Sequence, residues 1–276
     1  MPARLAYLGP PGTFSEEAAL RYDPSALLLP FPSIAAVADA VRAGMAQEGV
    51  VPIENSLEGS VPDTLDLLIH EEGLAIRREL VLPIVHCLLA PQGLEPQKVQ
   101  VIYSHPQALG QCRRFLERCF PKAQLVAALS TAAAVEEMKK SPHPAAAIAP
   151  RRAADLYGAA VLAQGIQDNP NNLTRFVLLA PTDHPPTGDD KTSLCFSFGQ
   201  VDIPGLLHNA LGEFARRHIN LTRIESRPTK AALGHYIFLV DLQGHREDAI
   251  VREALEGLRH QVSALKVFGS YPRFKA

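Results

Sequence analysis

The stretch Leu5-Ala6-Tyr7-Leu8-Gly9-Pro10-Pro11-Gly12-Thr13-Phe14-Ser15-Glu16 decides the fold class. Leu5 to Leu8 is an apolar run of strand length, and the Gly/Pro cluster behind it stops the strand. Thr13-x-x-Glu16 then follows the capping-box pattern that starts a helix. Strand, tight turn and capped helix in succession open a βα unit. The same succession recurs downstream, with candidate strands Val50 to Ile53, Val99 to Tyr103, Leu125 to Leu129 and Ala145 to Ala149. Behind Ser33, a suitable N-cap, Ile34, Val37, Ala38, Val41 and Met45 recur at helical spacing. This alternation predicts an α/β fold built on a parallel sheet.

Hydroxyl residues stand at four of the expected helix starts: Thr13, Ser60, Ser104 and Ser130 with Thr131. Each alone reads as a cap. Together they would gather free N–H groups and positive helix-dipole ends at the carboxyl edge of the sheet, an edge suited to a small carboxylate. Two polar loops bring further groups to that edge. Glu54, Asn55 and Ser56 follow a buried strand directly, where packing has no need of them. Asn169-Pro170-Asn171-Asn172-Leu173-Thr174-Arg175-Phe176 joins an Asn/Pro turn to a strand. It reads either as an ordinary turn-to-strand join or as a carboxylate anchor, for which the planar guanidinium fork of Arg175 is suited.

Pro181 to Asp190 has three prolines, one glycine and no periodicity, which marks a linker over residues 181–191. Beyond it Leu194, Phe196 and Phe198 alternate on one strand face, and a helix carries Leu207, Ala210, Leu211 and Phe214. Strands Ile219 to Ile224 and Tyr236 to Leu242, helix Asp248 to Arg259 and a strand near Ala264 to Phe268 complete a βαββαβ order. That order is a ferredoxin-like unit, expected over residues 192–271 behind an α/β domain at 3–180.

The chain has 276 residues, 47% of them hydrophobic, and a net charge of −2, room for two domains and no basic footprint for nucleic acid. No apolar stretch approaches the length of about 20 residues that a membrane helix needs. The N-terminus lacks the pattern of a signal peptide, so a cytoplasmic protein is expected. Cys87, Cys112, Cys119 and Cys195 form no C-x-x-C pair and are expected as scattered buried thiols. The ten histidines show no metal-ligand spacing, so neither a metal nor another cofactor is expected.

Gly9-Pro10-Pro11-Gly12-Thr13-Phe14-Ser15, Pro52-Ile53-Glu54-Asn55-Ser56, Ser104-His105-Pro106-Gln107-Ala108-Leu109 and Thr174-Arg175-Phe176 together resemble the prephenate dehydratase family. Glu225-Ser226-Arg227-Pro228 resembles an element of that family's ACT domain, which binds phenylalanine as a feedback signal. The resemblance implies two α/β lobes like those of a periplasmic binding protein, with the substrate between them, and an ACT module of βαββαβ order. The chain would cross between lobes near Leu80 to Leu82 and near Leu156.

The implied reaction turns prephenate into phenylpyruvate, water and carbon dioxide, without metal or redox cofactor, because aromatisation drives it. Thr174, Arg175 and Phe176 are the implied catalytic set: hydroxyl donor, carboxylate holder and wall against the ring. Thr13, Ser15, Glu54, Asn55, Ser56, Ser104, His105, Gln107, Ser130 and Thr131 are the implied substrate-binding set, although an ionised Glu54 would repel a dianion. Gly205, Leu206, Leu207, Asn220, Leu221, Glu225, Ser226, Arg227 and Pro228 are the implied effector site. Where the family has Gly-Ala-Leu-Val, this chain has Gly205-Leu206-Leu207-His208, which puts the strength of phenylalanine control in question. ACT modules pair edge to edge, so a homodimer or homotetramer is expected. Three other readings compete: a decarboxylase of the same fold, which Thr174 argues against; a dehydratase acting on arogenate; and an amino-acid-sensing binding protein.

Overall fold

The computed structural model describes residues 2–199, 203–229 and 235–275. They divide into two compact units, Met1–Val61 with Leu80–Phe176, and Pro62–Glu79 with Val177–Ala276. The opening stretch folds as read: β1 (Arg4–Leu8), a Gly/Pro turn, and α1 (Phe14–Tyr22) with Thr13 as its N-cap. β2 (Leu27–Phe31), α2 (Ile34–Arg42), β3 (Glu48–Asn55) and the short β4 (Gly59–Ser60) follow. β2 was not expected because Pro30 interrupts it; as an edge strand beside β1 it tolerates the missing N–H. Ser33 caps α2 as expected, accepting from Ala36 N. The helix stops at Ala43 with Gly44 left-handed (φ 69°), so Met45 leaves the apolar stripe and is exposed.

α3 (Pro62–His70) and the first part of β5 (Ala75–Pro83) lie in the second unit. Ser60 belongs to β4 rather than to a helix cap, so α3 does not join the expected row of hydroxyl-capped helix starts. The end of β5 returns the chain to the first unit, where a second sheet is assembled. Its strands are β6 (Cys87–Ala90), β7 (Val101–Ser104), β8 (Gln124–Ala127), β9 (Ala145–Ala149) and β10 (Ala160–Gln164). Between them run α4 (Pro106–Gln111), α5 (Arg113–Cys119), α6 (Thr131–Lys140) and α7 (Arg151–Tyr157). β11 (Leu173–Ala180) then rejoins the first sheet, whose order is β2-β1-β3-β11-β5 with β4 beside β3. The second sheet is ordered β10-β6-β9-β7-β8. Two α/β lobes therefore stand as expected. The return to the first sheet follows Gln164, not Leu156, which lies inside α7.

Both faces of the second sheet are covered, and β9 shows why its sequence is an unbroken apolar run. Ala145, Ala147 and Ala149 pack in one core cluster, while Ala146 and Ile148 pack in the cluster on the opposite face. The second unit contains a four-stranded sheet in the βαββαβ order. It comprises β12 (Asp190–Ser197), α8 (Leu206–Ala215), β13 (Leu221–Pro228), β14 (Tyr236–Gln243), α9 (Ala249–Arg259) and β15 (Ala264–Pro272). Leu194 and Phe196 meet Val240 and Phe238 in register, under Ala210 and Phe214 of α8 and Leu258 of α9. Residues 181–189 are irregular yet pinned: Asp183 accepts from Ser270 N at 3.0 Å, and His184 N donates to Ser270 O at 3.0 Å.

Cys87, Cys112 and Cys195 are buried, but Cys119 is exposed at the end of α5, which corrects the expectation of four buried thiols. Burial pushes the Cys112 thiol up to about 12 and that of Cys195 to about 11. A thiolate-selective disulfide reagent at pH 8 should therefore titrate one thiol rapidly in the native protein and all four in denaturant. Rapid reaction of two or more native thiols would contradict this packing.

Candidate active site

A cleft of about 770 Å³ opens in the first unit, lined by the β1–α1 turn, β3, β11 and the starts of α4 and α6. Nine residues selected from sequence lie on its wall: Thr13, Ser15, Asn55, His105, Gln107, Ser130, Thr131, Thr174 and Phe176. Thr13 caps α1 by accepting from Glu16 N at 3.4 Å, and Ser130 caps α6 by accepting from Ala133 N at 3.0 Å. The Glu16 carboxylate does not close a reciprocal box. It accepts instead from Gly12 N at 2.8 Å and pairs with Arg152 of α7 at 3.1 Å, tying the turn to the second sheet's helices. Gly12 is required there, because its φ is 87° and a Cβ would lie 3.0 Å from the Tyr157 ring.

Four selected residues are elsewhere. Ser104 does not cap α4: His105 does, its Nδ1 accepting from Gln107 N at 3.3 Å. Ser104 is fully buried and donates to Ile148 O at 2.7 Å, a sheet contact rather than a cleft contact. Arg175 is turned away from the cleft by strand alternation, which sends Thr174 and Phe176 to one face of β11 and Arg175 to the other. There it pairs with Glu54 at 3.4 Å, and neither residue lines the cleft. The guanidinium expected to hold a carboxylate thus has the Glu54 carboxylate as a partner in this structure. Ser56 bonds the backbone of the 171–173 turn: its Oγ donates to Asn171 O at 3.2 Å and accepts from Leu173 N at 2.9 Å.

Asn55 fixes the chemistry of Thr174. Its Oδ1 accepts from Leu57 N at 2.9 Å and Glu58 N at 3.1 Å, donors that cannot reverse. Its Nδ2 must then face Thr174 Oγ1 and Asn172 Oδ1, both at 2.8 Å, and also lies 3.1 Å from Leu173 O. Thr174 Oγ1 is consequently an acceptor from Asn55, and its own hydrogen is the one left to give. The direction continues outward. Asn172 Nδ2 donates to Gln111 Oε1 at 2.9 Å, and Gln111 Nε2 donates to Glu58 Oε1 at 3.2 Å. His86 Nε2, 2.9 Å from Gln111 Oε1, is therefore the N–H side of the ring.

His86, Gln111 and Asn172 were not found from sequence. Asn172 stood in the quoted turn without a role, and Gln111 lay two residues past the Ser104 to Leu109 motif. His86 sits between two apolar strands, where a lone histidine carries no pattern. Apart from His86 and His105 the cleft wall has no titratable residue, and among its lining residues there is neither lysine nor arginine. Positive potential comes instead from the α6 start, whose first turn holds no acid, whereas the first turn of α1 carries Glu16 and Glu17.

Burial holds the His86 ring below the usual histidine range, with the Gln111 hydrogen bond opposing in part. The unfolded chain thus takes up this proton more readily than the folded one. Above the ordinary value of 6.5 the two states do not differ at this ring; below it, stability falls with pH until the folded ring itself protonates. Chemical denaturation between pH 6.5 and about 5 should show a shallower loss of stability for His86→Gln than for the wild type. Equal slopes would mean that the ring is not held neutral.

The prephenate dehydratase family model matches residues 5–184, and the ACT domain model matches residues 196–260. A bifunctional chorismate mutase/prephenate dehydratase of Stutzerimonas stutzeri is 44% identical over 99% of this chain and 74% of its own length. A prephenate dehydratase of Mycobacteroides abscessus is 42% identical over 98% of this chain and 90% of its own. The crystal structure of prephenate dehydratase from Arthrobacter aurescens, solved with L-Phe bound, matches with a TM-score of 0.89 at 39% identity, covering 98% of this chain and 90% of that one. With motif, cleft and whole-chain similarity in agreement, the chain belongs to the prephenate dehydratase family.

Proposed function

We propose that the protein is a prephenate dehydratase, a hydro-lyase that converts prephenate into phenylpyruvate, water and carbon dioxide under feedback control by L-phenylalanine. The observation that carries the reading of the site is the Asn55 to Thr174 hydrogen bond, which leaves the threonine hydroxyl as a donor facing the cleft. As the ring carboxylate leaves as carbon dioxide, its bonding electrons enter the ring and the carbon–hydroxyl bond breaks on the opposite side. The departing hydroxyl needs a hydrogen-bond donor as its oxygen gains negative charge, and one proton is taken up overall to make water. A preorganised donor at such an oxygen typically contributes about 10²–10³-fold in rate. Thr174 serves as that donor; solvent supplies the proton.

A substrate carboxylate fits the α6 start, whose first turn holds no acid, with Ser130 and Thr131 as hydroxyl donors beside the free N–H groups and Ser15 on the same wall, while Thr13 gives its hydroxyl hydrogen to Pro10 O at 3.0 Å. Phe14, Phe31, Leu129 and Phe176 supply apolar wall for the ring. Phe176 is 2% exposed and fixed in β11, whereas Leu129 is 94% exposed at the start of the loop into α6. Glu54 and Arg175 serve as a pair behind the sheet, where the arginine neutralises a carboxylate next to a site for a dianion.

Regulation rests on the second unit. Gly205, left-handed at φ 94°, caps α8, with Leu206 and Leu207 in its first turn. Asn220 immediately precedes β13, which runs from Leu221 through Glu225, Ser226, Arg227 and Pro228. L-Phe in complex with the Arthrobacter aurescens enzyme supports phenylalanine as the effector, and we assign it to these two segments on the resemblance of their sequence to the ACT element. β13 is an edge strand with Ile224 half exposed, suited to pairing with a second copy in a homodimer or homotetramer. No helix among the described residues is long and apolar enough to cross a membrane, and we place the enzyme in the cytoplasm with its biosynthetic relatives.

Purified protein should convert prephenate to phenylpyruvate without added metal, and L-phenylalanine should change the rate; no product at any enzyme concentration would overturn the assignment. Arogenate assayed in parallel separates the two related substrates. Thr174→Val should lower kcat by at least ~10²-fold with little change in KM, whereas Arg175→Gln should leave KM within about threefold. A large rise in KM for Arg175→Gln would restore the arginine as a carboxylate anchor.

A further inference from the structure

The polar chain that begins at Asn55 ends on a ring atom with no partner. His86 is 2% exposed and forms part of the cleft wall, with Phe14 edge-on at a centroid distance of 5.5 Å. Its backbone N donates to Gln167 Oε1 at 3.0 Å, and its Nε2 donates to Gln111 Oε1 at 2.9 Å. The neutral ring carrying its hydrogen on Nε2 presents a bare lone pair at Nδ1. That atom is buried without a hydrogen-bond partner. A buried acceptor left unmet is costly, and sites of this kind call for an explanation.

The reaction proposed above supplies one. The substrate's ring hydroxyl is both acceptor and donor. Thr174 serves its oxygen, which leaves its hydrogen in need of an acceptor. No carboxylate lines the cleft. His105 Nδ1 is already engaged by Gln107 N, and Gln111 Oε1 by His86 and Asn172. Hydroxyl and amide oxygens such as those of Ser15 and Gln107 also line the wall, and among the described residues the His86 lone pair is distinguished as the acceptor buried there without a partner. We propose that His86 is a further substrate-contacting residue, accepting through Nδ1 the O–H hydrogen of the ring hydroxyl to which Thr174 donates. The contact rests on the dehydratase reading and deepens it: the hydroxyl is held from both sides, with its oxygen lone pair turned toward Thr174. Burial keeps the ring in the neutral form that this role requires.

Two isosteric variants separate the ring's two nitrogens. His86→Gln places an amide nitrogen near Nε2, keeping the donor to Gln111, and leaves nothing at Nδ1. His86→Asn places an oxygen near Nδ1 and drops the Gln111 bond. With prephenate, His86→Gln should lose about 10–100-fold in kcat/KM, the cost of an unmet hydroxyl hydrogen, and His86→Asn markedly less. A His86→Gln enzyme as active as the wild type, or more active than His86→Asn, would overturn the contact and leave His86 as a support for Gln111. Equal losses are resolved by ¹⁵N spectra of the histidine ring in the slow Thr174→Val background. Addition of prephenate should move the Nδ1 resonance while Nε2 stays protonated, and an unmoved Nδ1 would overturn the proposal. Wild-type enzyme that does not turn over prephenate would instead remove the reading on which the contact rests.

Discussion

The two backbone N–H groups of Leu57 and Glu58, both pointing at Asn55 Oδ1, are the constraint on which the site depends. An amide side chain is otherwise free to turn over, and its reversal would present an acceptor to Thr174. Because these donors cannot become acceptors, Asn55 gives its hydrogens to Asn172 and Thr174, and every later bond inherits the direction. The network includes Asn172, fully buried, and His86, nearly so. Such a network is stable only when its members agree in direction. The turn following β3 thus sets the hydrogen-bond direction of Asn172 and Thr174, more than a hundred positions away in sequence, and through them the tautomer of His86.

Strand alternation distributes the chemistry on top of that. On β11 it separates Thr174 and Phe176, which face the cleft, from Arg175, which pairs with Glu54 behind the sheet. The cleft wall is left without lysine or arginine, and in the proposed function anion binding falls to the α6 start and to hydroxyls. In that reading a carboxylate would be held by several modest contacts rather than by one strong ion pair, which suits a ligand that must lose a carboxylate as neutral carbon dioxide. The Glu16 to Arg152 pair and the Tyr157 to Pro11 bond at 3.1 Å join the β1–α1 turn to α7, so the α1 start is held by both sheets' elements.

Much of this architecture was legible in the sequence because it is local. The strand, turn and cap from Leu5 to Glu16, the Ser33 cap and the fully apolar β9 each carry their own periodicity or cap chemistry. The βαββαβ order of the second unit was legible for the same reason. β2 was hidden by Pro30, which only an edge position allows. Ser104 shows the limit of motif reading: a hydroxyl one residue before the true cap, His105, has the right spacing and the wrong direction. His86, Gln111 and Asn172 meet only after the second sheet has formed, and no spacing rule links them. The direction of their hydrogen bonds is a property of the assembled network.

Neutron diffraction from a deuterium-exchanged crystal would test that direction most directly. The account predicts deuterium on His86 Nε2 and none on Nδ1, both deuterons of the Asn55 amide on the Thr174 and Asn172 side, and the Thr174 hydroxyl deuteron turned away from Asn55. Deuterium on His86 Nδ1, or a Thr174 hydroxyl donating to Asn55, would contradict it.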